Sequence, residues 1–345
     1  MTTSVLPASR VPSLMDAPPL AWGILAPGGI AARFTHALHS FTRQRVVAVG
    51  SRSAERAQHF AGQFEIPHFL GSYEQLVADP AVQAVYVASP HSEHCAHTLL
   101  AIEAGKHVLV EKAFARNADE ARRMVDAARS HGVTLMEAMW TRFLPRTDIV
   151  RQLLADGTLG ELHALLADHG QSLPHVERLH EPGLAGGALL DLGVYPVSYA
   201  CFALGLPQRI HATGQLSPRG VDAQMAIALD GFADHPRAQA SLHTTLLAKT
   251  PTTAAICGTD ARIELDGDFY TPGTVRLIGN DGVAVESPRP DLTAHQGLAY
   301  EGVHFAQLVA DGQSESPLLP LDETVAIMSI MDDLRAQVGV TYPGE

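Results

Sequence analysis

From Leu20 the chain repeats one pattern, a short unbroken apolar run followed by apolar residues at helical spacing. "LAWGILA" leads into "GIAARFTHALHS", "RVVAVGS" into "SAERAQHFAGQF", "AVYVASP" into "HSEHCAHTLLAIEAG", and "HVLVEKA" into "NADEARRMVDAARSHG". Apolar runs without alternation belong to strands buried on both faces, so this half predicts a parallel sheet covered by helices. Asn117 followed three residues later by Glu120 has the spacing of a capping box, which starts the last of these helices near residue 118. After "MEAMWTRFLPRTDIVRQLLADGTLGEL" the period changes to two. In "DAQMAIALD" Ala223, Met225, Ile227 and Leu229 share one face, and in "AQASLHTTL" so do Ala238, Ala240, Leu242 and Leu246. That alternation, with hairpin-length connections, predicts antiparallel sheet.

Composition narrows the class. The chain has 345 residues, 46% of them apolar, enough for two cores. Its net charge of −13 and the absence of any lysine or arginine run argue against a nucleic-acid partner. Cys95, Cys201 and Cys257 are far apart and lack metal-ligand spacing, so they read as core residues of a reduced, cytoplasmic protein, with no metal expected. No segment approaches the ~20 uninterrupted apolar residues of a membrane span. Residues 1–19, with four prolines, are expected to form a loose tail.

The first strand-to-helix turn, "GILAPGGIAA", carries the candidate chemistry. A dinucleotide-binding turn brings bare backbone and a helix N-terminus against a pyrophosphate, which requires small residues. The G-x-G-x-x-G/A pattern is met as Ala26-x-Gly28-x-x-Ala31, with alanine in place of the first glycine; Gly29 and Ile30 complete the turn. About 20 residues on, an NAD site presents an acid to the ribose. Here "GSRSAER" offers Ser51, Arg52 and Arg56 instead, a set suited to a 2′-phosphate and hence to NADP. The alternative is that both arginines are simply a solvated helix start.

Lys112 falls in the loop after the "HVLVE" strand, at the strand end where α/β proteins place their chemistry. In "AGGALLDLGVYPVSYACFALG", Asp191 and Tyr195 are four apart and share a face if the segment is helical. Pro196 requires that helix to begin close by, and the double glycine permits close approach of another backbone. Asp191 could equally be an N-cap, and Tyr195 a half-buried core aromatic. A tyrosine is almost wholly protonated at neutral pH, whereas a nearby ammonium lowers a pKa by ~1–3 units. A lysine, a tyrosine and a carboxylate thus form a plausible hydride-transfer set, with Asp191 holding the lysine or a substrate hydroxyl in register.

The turn "WGILAPGGIA", the "SPHSEH" loop, the "EKAF" segment, "LMEAMWTRFLP", "GGALLDLGVYPV", "GLAYEGVHF" and the closing "GVTYPGE" together resemble the glucose-fructose oxidoreductase, inositol dehydrogenase and MocA family. Within it they are most similar to the dimeric dihydrodiol dehydrogenase and NADP-dependent D-xylose dehydrogenase branch. The resemblance spans residues 20–345 and implies an α/β Rossmann domain over 20–140. It also implies an α+β substrate and dimerisation domain over 141–345 with a large, mostly antiparallel open sheet, the C-terminal segment packing back on the first domain. It implies catalytic roles for Lys112, Asp191 and Tyr195, with Ala113 where the family has proline. It places Ser89, Pro90, His91, His94, Glu111, Trp140 and Arg142 beside the cofactor, where His91 and His94 alone would read as helix-start polar residues. It puts Lys112, Trp140, Asp191, Tyr195 and Tyr270 around a substrate. The expectation is an NADP(H)-dependent oxidoreductase of a sugar, cyclic vicinal diol or hydroxycarbonyl compound, acting as a homodimer through the second sheet. The alternatives are a sugar oxidoreductase that retains its NADP and a non-catalytic NADP-sensing regulator of the same fold.

Overall fold

The computed structural model describes residues 5–345. The chain divides into two compact units, one of residues 12–143 and 294–328, the other of residues 5–11, 144–293 and 329–345. The first contains the expected run of strands and helices: β1 Ala21–Leu25, α1 Gly29–Phe41, β2 Arg45–Gly50, α2 Ala54–Phe64, β3 His68–Leu70, α3 Tyr73–Ala78, β4 Ala84–Val87, α4 His94–Glu103, β5 His107–Glu111, α5 Ala118–His131 and β6 Leu135–Ala138. All six strands are parallel, in the order β3-β2-β1-β4-β5-β6. β4 and β6 are buried along their whole length, as the unbroken apolar runs require. Asn117 caps α5 by accepting the Glu120 N–H at 2.9 Å, while the Glu120 carboxylate reaches back to the Arg116 N–H at 3.2 Å. The box closes one residue earlier than the usual pairing.

Three elements of this unit lie outside the sequence pattern. β3 is a three-residue edge strand with Phe69 exposed, and α3 has only six residues, too short for periodicity to register. β6 is four residues long and contains a glutamate. The returning segment contributes α8 Leu298–Ala310 and the start of α9 Leu321–Val338. It is fastened by the Leu135 N–H on the Ser314 carbonyl, 3.0 Å, and by Gly302, where any Cβ would lie 2.5 Å from Leu38 of α1.

The second unit holds α6 Pro145–Ala155, β7 Leu162–Gly170, α7 Val194–Leu204, β8 Arg209–Leu216, β9 Asp222–Asp230, β10 Gln239–Thr245, β11 Ala254–Gly258, β12 Ala261–Leu265, β13 Arg276–Gly279 and β14 Ala284–Glu286. They form one eight-stranded sheet ordered β14-β13-β12-β11-β7-β10-β9-β8, antiparallel except for the β7–β10 pair. The predicted faces hold: Ala223, Met225, Ile227, Leu229, Ala240 and Leu242 are buried, while Ala226, Ala228, Gln239 and Ser241 are exposed. The segment read as a loose tail is tied down at Arg10, whose guanidinium lies 2.8 Å from Asp148 and whose N–H donates to the same carboxylate at 2.7 Å. The helical stretch Pro182–Leu204 is long and apolar enough to cross a membrane, but 94% of its most apolar window is buried inside the protein.

Candidate active site

In the first unit, parallel strands end on one edge and the predicted residues follow them there. β1 gives way to Ala26 at φ 70°, the left-handed region for which glycine is the ordinary occupant. Its N–H donates to the Gly50 carbonyl, 3.2 Å, joining the first turn to the end of β2. Gly28 is the N-cap of α1 and supplies no side-chain acceptor, so the first N–H groups of the helix have no side-chain cap. A Cβ added at Gly28 or Gly29 would meet nothing within 4 Å. Bare backbone, an open cradle and a positive helix end together fit a diphosphate.

At the end of β2, Ser51 is buried and its Oγ accepts the Ser53 N–H at 3.2 Å, while Ser53 caps α2 through the Arg56 N–H at 3.3 Å. Capping by Ser53 leaves the side chains of Arg52 and Arg56 exposed, and neither forms an ion pair among the described residues. The loop after β4 brings Ser89, Pro90, His91 and His94 together. His94 is fully buried, with Nδ1 2.9 Å from the Ala113 carbonyl and Nε2 2.8 Å from the Ser89 carbonyl. It is a strut between this loop and the one carrying Lys112. Burial pushes its pKa down to about 3 against the pull of those carbonyls, so at neutral pH the ring carries one N–H and donates to one of them at a time.

Lys112 is half-buried just beyond β5, its N–H donating to the Glu111 carboxylate at 3.1 Å, and the Lys112–Ala113 peptide is cis. Tyr86 donates its hydroxyl to the same carboxylate. Glu137 of β6 and Glu301 of α8 add two further buried acids; burial pushes Glu137 up to about 7 and Glu301 well above the ordinary range, with Glu111 adding repulsion to both. Among the described residues neither carboxylate oxygen of Glu301 has a hydrogen-bond partner. Trp140 stacks on His295, centroids 5.7 Å apart. Arg142, expected beside the cofactor, is buried with its guanidinium 2.7 Å from Glu323 and braces the returning segment.

In the second unit, Asp191 lies in a π-helical turn, Leu189–Gly193, that runs directly into α7 and leaves Pro196 in the first α-helical turn. It is nearly buried and paired with Arg178 at 3.0 Å. Tyr195 and Tyr270 are brought together, ring centroids 4.6 Å apart. A third ring, His169 of β7, lies 4.4 Å from Tyr270 and 5.3 Å from Tyr195. Its Nδ1 faces the Leu192 carbonyl at 3.2 Å, and its Nε2 faces the Gln171 amide nitrogen at 3.0 Å, so both ring nitrogens are engaged. His169, Gln171 and His295 were not anticipated. For His169 the available signal was "DHGQS", a histidine at the end of a strand buried on one face.

Two family models match the chain: "Oxidoreductase family, NAD-binding Rossmann fold" over residues 20–139, and "GFO/IDH/MocA C-terminal domain" over 148–264. The chain belongs to the Gfo/Idh/MocA family. Its similarity to trans-1,2-dihydrobenzene-1,2-diol dehydrogenases is near full length: 37% identity to that of Macaca fascicularis and 36% to that of Homo sapiens, each covering 94% of this chain and 98% of the relative. A 3-ketoreductase from Actinomadura kijaniata, solved with NADP and TDP-benzene, superposes with a TM-score of 0.80 at 27% identity over 93% of this chain and 98% of that one. An aldose-aldose oxidoreductase from Caulobacter crescentus has a TM-score of 0.82 over the same shares of the two chains at 23% identity, a likeness of fold. The Gfo/Idh/MocA member described here is therefore an oxidoreductase with an NAD(P)-binding Rossmann domain.

The buried acids give this unit a pH signature. A carboxyl whose folded pKa is raised binds its proton more tightly folded than unfolded, so its stabilisation is complete below the ordinary carboxylate range and lost as pH rises through the raised value. Glu137 titrates near 7 and Glu301 is also raised, whereas His94 is neutral in both states above about pH 6.5. The urea midpoint is expected to fall between about pH 6.5 and 8.5, and Glu301→Gln to shrink that fall; an unaltered difference in the variant would mean that Glu301 is not a protonated acid in the folded protein.

Proposed function

We propose that the protein transfers a hydride between NADP(H) and an uncharged ring compound bearing adjacent hydroxyl or carbonyl groups, such as a cyclic vicinal diol or an aldose oxidised at C1. The observation that carries this reading is Lys112, an amine at the carboxyl end of a parallel strand, in a loop held by Glu111 on one side and by His94 through Ala113 on the other. Near-full-length identity to dihydrodiol dehydrogenases supports the diol class. The rings of Tyr195, Tyr270 and His169, with the amide of Gln171, suit the apolar face and the hydroxyls of such a ring.

NADP supplies the hydride acceptor at its nicotinamide. The Gly28–Ile30 backbone at the start of α1 binds the diphosphate, as Ala26 turns the chain into that helix. Ser51, Arg52 and Arg56 hold the 2′-phosphate, the two guanidiniums being exposed and unpaired by acids, which favours NADP over NAD. Ser89, Pro90, His91 and Trp140 would hold the nicotinamide end, and His94, through Ser89 and Ala113, and Glu111, through the Lys112 N–H, fix the loops that carry these residues. Tyr195, as the phenolate, would take the hydroxyl proton and become a neutral phenol while the hydride leaves the same carbon; the Lys112 ammonium would favour that phenolate, and Asp191 would hold a hydroxyl or ammonium in register.

The protein is further proposed to be a homodimer through the outer face of its eight-stranded sheet. The patch is the middle of that face, where Gln224, Ala226, Ala228, Gln239, Ser241 and His243 lie with Leu166, which sits between Ser241 and Ala255 and is 50% exposed. The charges of the same face stand around it, Arg209 with Asp230 on one side and Arg262, Glu264 and Arg276 on the other, while Asp168 beside His243 accepts the Thr252 and Thr253 N–H groups. A solvated face carries lysines and glutamates; an interface core is depleted of them.

Lys112→Ala is expected to lower kcat by ~10²-fold or more while NADP binding stays nearly intact, measured as NADPH absorbance at 340 nm with a panel of neutral sugars and cyclic diols. Near-normal turnover would remove Lys112 from the reaction. Arg52→Ala should lower the NADP-over-NAD ratio of kcat/KM by about tenfold or more, as the loss of ~1.5–3 kcal/mol of charge-assisted bonding implies; an unchanged ratio would leave Arg52 a solvated helix-start residue. Light scattering at micromolar concentration should give at least twice the single-chain mass, and a particle of single-chain mass would rule out the sheet interface.

A further inference from the structure

The turn that carries Asp191 is pegged at both ends by side chains that belong to other elements. On its leading side run Ala185, Gly186 and Gly187, the first in the left-handed region at φ 52° and the last at φ 117°. Both glycines are there for lack of room. A Cβ on Gly186 would lie 2.6 Å from the Leu179 carbonyl, and one on Gly187 would lie 2.1 Å from Oδ1 of Asp222. Three side chains then hold this stretch. The Tyr342 hydroxyl donates to the Gly186 carbonyl at 2.6 Å, the Thr244 hydroxyl to the Ala188 carbonyl at 3.3 Å, and the Leu189 N–H donates to Oδ2 of Asp222 at 2.6 Å. On its trailing side the Leu192 carbonyl meets His169.

Asp222 and Tyr342 stand out among these pegs. Asp222 opens β9 at full burial, a position where a carboxylate without a task would be costly. Tyr342 belongs to the closing "GVTYPGE" segment and is itself held: the Arg335 guanidinium lies 4.6 Å from its ring centroid, and Arg335 pairs with Asp332 at 2.7 Å and Glu345 at 2.8 Å. Neither residue is among the groups assigned above to the chemistry.

We propose that Asp222 and Tyr342 are positioning residues that set the placement of Asp191 and Tyr195 through the backbone of residues 186–189. This rests on the roles given above to Asp191 and Tyr195. Leu189 opens the π-helical turn, Asp191 is its third residue, and Tyr195 follows without a break in the helix. A shift of the anchor at Leu189 therefore passes into both side chains, and a misplacement of about 1 Å can lower a rate by ~10²-fold. Burial raises the Asp222 carboxyl to about 7, opposed by its bond from Leu189 and by Arg335, yet either protonation state keeps an oxygen to accept that N–H.

The test uses the full chain with NADP and whichever neutral ring substrate is turned over. Asp222→Ala should lower kcat by about tenfold or more with the Kd for NADPH, read by fluorescence, unchanged within about twofold. Asp222→Asn, which retains an acceptor for Leu189, should recover most of the rate. Tyr342→Phe removes one hydroxyl from a ring that stays packed, and should lower kcat about threefold even where Asp222→Ala fails to fold. Coupling gives the decisive reading, because residues acting through one group are not additive. In a Tyr195→Phe background, Tyr342→Phe should cause a smaller loss than it does in wild type, only the part that runs through Asp191 remaining. If Tyr195→Phe is itself fully active, the assignment of Tyr195 fails and takes this inference with it. If Tyr195→Phe is impaired but Tyr342→Phe and Asp222→Asn leave kcat as in wild type while Asp222→Ala is equally active or merely unstable, the positioning role alone is overturned. Full multiplicative losses in the double variants overturn it as well.

Discussion

Six strands running the same way put every carboxyl end on one edge of a sheet, and everything assigned to the dinucleotide unit hangs from that edge. Its loops must be held without closing the space in front of them. Each is therefore fastened from behind, the first turn through Ala26 to Gly50, the loops after β4 and β5 to each other through His94, and Lys112 through the carboxylate of Glu111. The open features are those a polyanion would complete: a helix start with no side-chain cap, and two exposed arginines without acid partners among the described residues.

The second unit meets the opposite problem. Its sheet is broad and regular, while the residues of chemical interest lie on a helical segment that a sheet does not fix by hydrogen-bond ladder. Fixation comes from side chains reaching main-chain atoms, Asp222, Thr244 and Tyr342 before Asp191 and His169 after it. The same histidine then packs against Tyr195 and Tyr270, so the support of the turn and the wall of aromatic rings share one residue. Buried polar groups of this kind specify one arrangement only when most of their partners are present, and here they are shared among several elements.

Legibility in the sequence followed the range of the interaction. Strand and helix positions, the Asn117 cap and the inward face of β9 and β10 were readable because each depends on residues two to four apart. β3 and α3 were not, being shorter than the period that would announce them. The double glycine at 186–187 announced a close approach but not its source, since Leu179, Asp222 and Tyr342 are separated from it by up to 156 positions. The ion pair of Arg142 was hidden for the same reason: nothing near "WTRF" in the chain announces Glu323, 181 positions on. Residues 1–19 read as a loose tail because four prolines spoil any pattern, although Arg10 within them has a buried acid waiting in α6.

Direct movement of a hydride between a ring carbon and the nicotinamide, as proposed, leaves an isotopic trace that can be read without recourse to any variant. The enzyme would be incubated with NADP and either D-xylose deuterated at C1 or a cyclic trans-diol deuterated at its carbinol carbons, and the reduced cofactor examined by mass spectrometry and proton NMR. Direct transfer puts one deuterium on each NADPH, at nicotinamide C4 and on a single face of the ring. NADPH formed without deuterium, or label found only in water, would contradict it.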